Sequence, residues 1–132
     1  MNPSPLKAVV TKSAPEPVGP YNQGVLANGW LYCSGQIPLN PSTGEMVGGG
    51  EIEEETRQVI SNLKAVLNQA GAKPNNVVRT TIYLVELKDF EKVNAIYAET
   101  FAGGISPARA CVQVAALPKG ARIEIDCIAW LG

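Results

Sequence analysis

The sequence predicts an α+β domain in which one β-sheet carries two helices on a single face. Three observations lead there. Two segments, residues 53–70 and 89–101, repeat apolar residues at the helical period, whereas the other apolar runs are short, β-branched or alternating. The runs follow as strand, hairpin, helix, strand, helix, strand, strand, an order that fits a sheet with its helices gathered on one side. A chain of 132 residues supplies one domain, residues 1–132, with length enough for a single core.

Leu6, Ala8 and Val10 alternate with Lys7 and Val9 and read as a short strand entering the irregular loop Ser13-Ala14-Pro15-Glu16-Pro17. Residues 24–27 and 30–33 flank Asn28-Gly29, the pair best suited to the positive φ angles of a two-residue hairpin turn. Residues 38–50 hold two prolines and four glycines without periodicity and read as a loop. Val59, Ile60, Leu63, Val66, Leu67 and Ala70 form one helical stripe, and Gly71 stands at the C-terminal cap position. Residues 77–87 read as a buried strand, after which Asp89 caps a helix presenting Phe90, Val93, Tyr97 and Phe101. Two further strands near residues 108–115 and 122–130 are joined by a turn at Leu117-Pro118-Lys119-Gly120. Two helices on one face leave the other face bare, and association with further copies is the simplest way to cover it.

Charge and composition remove several function classes. Eleven basic and 12 acidic residues give a net charge of -1, so no strong basic field exists and nucleic acid is not an expected partner. The segment Met1 to Lys7 lacks a signal-peptide pattern, and no apolar run approaches the roughly 20 residues that span a bilayer. The expectation is a soluble, cytoplasmic protein without a membrane partner. Cys33, Cys111 and Cys127 are odd in number and widely spaced, which argues for reduced thiols over a disulfide framework or zinc cluster. The chain has no histidine, so a Ser-His-Asp triad, a Cys-His dyad and a His-ligated metal are all excluded. Gly48-Gly49-Gly50 precedes acidic residues and not Gly-Lys-Ser/Thr, so it reads as a flexible segment and not a phosphate loop. Glu51, Glu53, Glu54 and Glu55 complement a helix N-terminus, and no metal is assigned to them.

The remaining candidates lie on strands and loops. Period two places Arg109, Cys111 and Gln113 on one face of their strand, and Arg122, Glu124 and Asp126 on one face of the last strand. These charges read either as a solvated face or as a site in which Arg109 meets a carboxylate through its planar fork. On the second reading Glu124 is the candidate for orienting or activating water, since histidine is lacking. Tyr21, in Gly19-Pro20-Tyr21, is either a packed loop anchor or an aromatic group presented to a ligand. Ser34 without a histidine base is a poor nucleophile, and Gly35 permits close backbone approach. Cys111 reads as a small buried residue before a nucleophile.

Gly19-Pro20-Tyr21, Ser34-Gly35-Gln36-Ile37-Pro38, Pro107-Ala108-Arg109-Ala110-Cys111-Val112 and the segment from Leu117-Pro118 to Glu124-Ile125 together resemble the RidA (YjgF) family nearly end to end. The resemblance implies a chorismate-mutase-like α+β fold assembled as a homotrimer, with a ligand cleft at each subunit interface. It implies cofactor-independent hydrolysis of 2-iminopropanoate and 2-iminobutanoate, released by pyridoxal-phosphate-dependent dehydratases, to 2-keto acids and ammonia. By the same resemblance Arg109 clamps the carboxylate, Glu124 holds the attacking water and the main chain of Cys111 contacts the imine nitrogen. Tyr21, Ser34, Gly35, Phe90 and Asn94 then line the cleft. Ser106 departs from the family pattern, in which an aromatic residue commonly precedes Pro-Ala-Arg, and the loop before it is short and glycine-rich. A non-catalytic module that binds 2-keto acids is the main alternative, followed by an endoribonuclease or translation inhibitor.

Overall fold

A computed structural model describes residues 5–132, so Met1 to Ser4 of the N-terminal segment read above lie outside the described residues. Six strands form one sheet: β1 (Leu6–Val9), β2 (Gly24–Ala27), β3 (Trp30–Gln36), β4 (Val77–Leu84), β5 (Ala108–Gln113) and β6 (Ile123–Trp130). Helices α1 (Ile52–Gln69) and α2 (Phe90–Phe101) complete the α+β architecture that the sequence predicts.

The strand order is β1-β2-β3-β6-β4-β5, and every neighbouring pair is antiparallel except β4 with β5. Strand β6 is therefore inserted between β3 and β4, the two strands that α1 connects. The parallel pair needs a crossover, and α2 supplies it. The turn between β2 and β3 has Asn28 and Gly29 at φ 50° and 84°, the left-handed geometry that matches the twist of a tight hairpin.

Alternation along the strands decides which side chains meet the helices. Leu31, Ile82, Leu84, Ile123 and Ile125 point inward and are fully buried against Val59, Leu63, Val66 and Leu67 of α1 and Val93 of α2. Cys33 and Cys127 are register partners on β3 and β6, buried side by side with a thiol hydrogen bond, which together with burial pushes the Cys127 thiol far up. Helix α1 closes with Gly71 N–H donating to Asn68 O at 3.0 Å and Ala72 N–H to Leu67 O at 2.8 Å, the paired bonds of a Schellman ending.

Several expectations change. In β1 only Val9 is buried, whereas Leu6 and Val10 stay exposed, because the alternation sends Leu6 and Ala8 to the face without helices. Strand β4 stops at Leu84, and Leu87–Asp89 turns as a short 3-10 segment. Asp89 occupies the cap position of α2 but makes no cap hydrogen bond; its carboxylate instead pairs with Arg122 at 2.8 Å. Arg122 also donates from Nη1 to Gly50 O and from its main chain to Glu55 Oε1, each at 2.8 Å. Glu55 is thus a buried acceptor and not a solvated helix-dipole charge. Gly48, Gly49 and Gly50 all hold positive φ, and a Cβ on Gly48 would sit 3.0 Å from Glu55 Cγ, so the backbone of this turn suits glycine.

Leu63 is wholly buried at the centre of the helix layer. Leu63→Ala leaves a cavity there and is expected to lower unfolding free energy by about 2–5 kcal/mol, measured by urea denaturation at pH 7.

Candidate functional site

Arg109 lies on β5 beside Thr80 of β4, on the helix-covered side of the sheet. Its guanidinium carbon stands 4.9 Å from the Tyr97 ring centroid and 5.4 Å from that of Phe90, close enough for both aromatic faces to attract the cation. Asn94, between those residues on α2, accepts from Arg109 Nη1 at 2.7 Å. The Tyr97 hydroxyl is held 2.7 Å from Thr80 Oγ1 in the core. No carboxylate pairs with Arg109 among the described residues. The fork is therefore positioned by α2 and left without an acidic partner.

Cys111 follows on the same side, half-buried, and burial pushes its thiol up while Arg109 draws it partly back. A neutral thiol at pH 7 is a weak nucleophile. Its main chain is better placed for recognition. Val114 N–H donates to Leu84 O at 2.8 Å, and alternation then turns the Cys111 amide and carbonyl away from β4 toward the free sheet edge.

Glu124 occupies the other side. It is opposite Tyr83 in the β4–β6 ladder, half-buried on the sheet face that carries no helix. Burial, reinforced by nearby Asp126, raises its pKa above the ordinary carboxylate value. The carboxylate packs on the main chain of Gly35, where an added Cβ would lie 2.7 Å from Glu124 Cδ. With glycine at 35 the carboxylate keeps this position; a larger residue would require Glu124 to shift.

Gly35 belongs to the irregular stretch of β3 between Cys33 and Gln36, where the ladder with β6 shifts register. Ser34 donates its hydroxyl proton to Asn22 O at 2.5 Å, which makes it a structural tie between β3 and the preceding loop. Tyr21 in that loop is exposed, and its hydroxyl accepts from Val18 N–H at 3.2 Å. Gln23 fixes the loop from beneath, receiving Thr11 N–H at 2.7 Å and donating to Pro15 O at 2.8 Å. Tyr21 and Gly35 line one shallow cleft with Val18 and Gln36.

The sequence candidates consequently form two groups. Arg109, Cys111, Phe90 and Asn94 gather at the β5 edge beside α2; Glu124, Gly35, Ser34 and Tyr21 gather on the open face. Within one chain the sheet stands between Arg109 and Glu124. Tyr97 was missing from the candidates although its spacing of seven from Phe90 and three from Asn94 places all three on one helix side. Among the described residues no cluster of three or more Cys, Asp or Glu suits a metal, and no helix is long and apolar enough to cross a membrane.

A single sheet backed by two helices, with a guanidinium cradle on one side and a raised-pKa carboxylate on the other, defines a small α+β protein with a divided polar site. The chain belongs to the RidA (YjgF) family, whose model, described as Endoribonuclease L-PSP, matches residues 11–131. It is 50% identical over 126 residues to a RutC family protein of Synechocystis, covering 96% of this chain and 97% of that protein. It is 48% identical to the 2-iminobutanoate/2-iminopropanoate deaminase of Mus musculus, covering 96% and 92%. The crystal structure of YyfA, a member of the conserved Rid protein family from Yersinia pestis, superposes with a TM-score of 0.92 at 50% identity, covering 95% and 98%.

The raised Glu124 pKa carries a stability consequence with a definite sign. A carboxyl whose folded pKa exceeds its unfolded value adds stability below the unfolded pKa and loses it as pH rises through the folded pKa. Relative to wild type, Glu124→Gln should therefore become more stable between pH 4 and pH 7, read from denaturation midpoints at the two pH values.

Proposed function

We propose that this protein hydrolyses small 2-imino acids, 2-iminopropanoate and 2-iminobutanoate among them, to 2-keto acids and ammonia without a cofactor. The observation that carries the reading is the Arg109 fork on its aromatic cradle, without an acidic partner among the described residues, matched by a half-buried Glu124 of raised proton affinity. Relatives named as deaminases support an enzymatic role of this kind.

The chemistry follows from those groups. Arg109 receives the substrate carboxylate through two parallel hydrogen bonds. The outward-facing Cys111 main chain meets the imine nitrogen, and Glu124 accepts a proton from water as its oxygen adds to C2 of the protonated imine. The resulting carbinolamine takes that proton on nitrogen and the C–N bond breaks; as ammonia departs, Glu124 accepts the hydroxyl proton, the C2 oxygen becomes the keto group, and ammonia carries the proton away as ammonium. A protonated imine is already electrophilic, so positioning and one proton acceptor suffice.

Because one chain holds Arg109 and Glu124 on opposite sides of its sheet, the complete site is formed between two copies. The bare sheet face supports this assembly. Leu6, Tyr32, Val112 and Trp130 are exposed on it, an apolar surface of the kind that association covers. A homotrimer with one cleft at each interface satisfies both requirements. A ribonuclease reading finds less support, since the chain has no histidine and a net charge of -1.

Wild-type protein should divert 2-iminopropanoate, generated in place by an amino-acid oxidase, from capture by semicarbazide. Arg109→Ala and Glu124→Gln should each lose at least about a hundredfold in kcat/KM, as expected for removing an orienting clamp or a general base. Co-refolding equal amounts of the two variants should restore about one quarter of the wild-type rate, because random assortment rebuilds that share of shared sites. Full activity of Arg109→Ala would refute the clamp, and no recovery in the mixture would refute the shared site. In the wild type, the acid limb of kcat/KM should have its midpoint above about 4.3, the ordinary glutamate value, because Glu124 must be ionised to accept the proton.

A further inference from the structure

A groove of about 320 Å³ runs from Arg109 along α2. Its floor is the buried pair Tyr97 and Phe101, whose ring centroids are 4.5 Å apart and tilted by 33°. Its walls are small: Ala98, Ala102 and Ser106 are exposed and place no bulk in it. Asn94 and Ala98 on α2 and Ala102 at its C-terminal cap succeed one another at spacings of four, so one side of the helix and its end line the groove. Arg109 closes one end and is its sole charged lining residue.

From this geometry we infer that the groove is the side-chain pocket of the site, and that it selects 2-imino acids whose apolar side chains are longer than ethyl. The inference rests on the proposed role of Arg109 as the carboxylate clamp. A carboxylate held at the guanidinium fixes C1, and the substituent on C2 can then lie along the ring floor. About 320 Å³ holds on the order of ten groups of the roughly 30 Å³ that one water occupies in the liquid. A methyl or ethyl group fills little of that space. A branched four-carbon chain covers the Tyr97 and Phe101 rings and displaces water from an apolar floor, while Asn94 is already bonded to Arg109 and Ser106 is exposed to solvent. The chemistry selected is an aliphatic, thioether or aryl side chain carried by a 2-imino carboxylate.

The test compares a short and a long ligand in two readouts. Calorimetric titration with pyruvate and with 4-methyl-2-oxopentanoate measures the pocket through the keto acids that share the carboxylate, independently of turnover. Semicarbazide competition with the imines of alanine and leucine measures it in catalysis. Wild type should favour the longer member by about tenfold or more, the discrimination available from added methylenes in an apolar pocket. Ala98→Leu and Ala102→Leu, which fill the groove from α2, should each cut that ratio by about tenfold. Equal affinity of the wild type for the two keto acids, or a ratio unmoved by both substitutions, overturns the inference. A binding preference that both variants abolish, in a protein with no turnover of either imine, upholds the pocket and sinks the deaminase reading instead.

Discussion

Neighbouring side chains on a strand must leave on opposite faces, and here one sheet has two unlike faces. That constraint organises the molecule. On one side the alternate residues of β3, β4 and β6 meet two helices and build the core; on the other they remain open and include both apolar surface and Glu124. Arg109 falls on the helix side, where α2 can hold it between aromatic rings and an amide. The same rule that gives the fold a core therefore separates the two groups, and it is this separation that leads the proposed function to call on a second copy.

The helix layer is tied to the sheet at a single polar junction. Arg122, one residue before β6, links Asp89 ahead of α2, Gly50 ahead of α1 and, through its main chain, Glu55 within α1. Burial raises the pKa of Glu55, and the Arg122 amide and guanidinium oppose that rise. These bonds satisfy groups that would otherwise be buried without partners, which matters because an unmet buried acceptor costs more than a formed hydrogen bond contributes. The starts of both helices and of the central strand are fixed together, so α2 presents Phe90, Asn94 and Tyr97 to Arg109 from a defined height above the sheet.

Much of this was legible in the chain. The Asn28-Gly29 hairpin and the two amphipathic helices carry strong local signals, and the structure has them where the pattern puts them. Arg109 stood out because it interrupts an otherwise uncharged strand, whereas Glu124 shares a charged strand face with Asp126 and was singled out by the lack of histidine and by the family resemblance. Their separation was not legible, since period two assigns a residue to one of two faces without saying which face the helices cover. The insertion of β6 between β3 and β4 is a tertiary choice with no local sequence mark. Asp89 and Glu55 were misread for a related reason: each sits at a helix start where an acid has a local role, but Arg122, distant in sequence, offers a stronger partner. Tyr97 was absorbed into the core stripe of α2, and its ring does lie in the core, yet one side of that ring supports the guanidinium.

The contact between Gly35 and Glu124 has a consequence for how this sequence can diverge. Any amino-acid substitution at position 35 brings a Cβ into the volume the Glu124 carboxyl group occupies, so Glu124 must shift from its present position to admit it. Shortening residue 124 by one methylene would vacate some of that volume, and in that altered background a small side chain at 35 gains room. The two positions, on separate strands and 89 residues apart, are thus sterically coupled, and a larger residue at 35 is admitted more readily once residue 124 has been shortened.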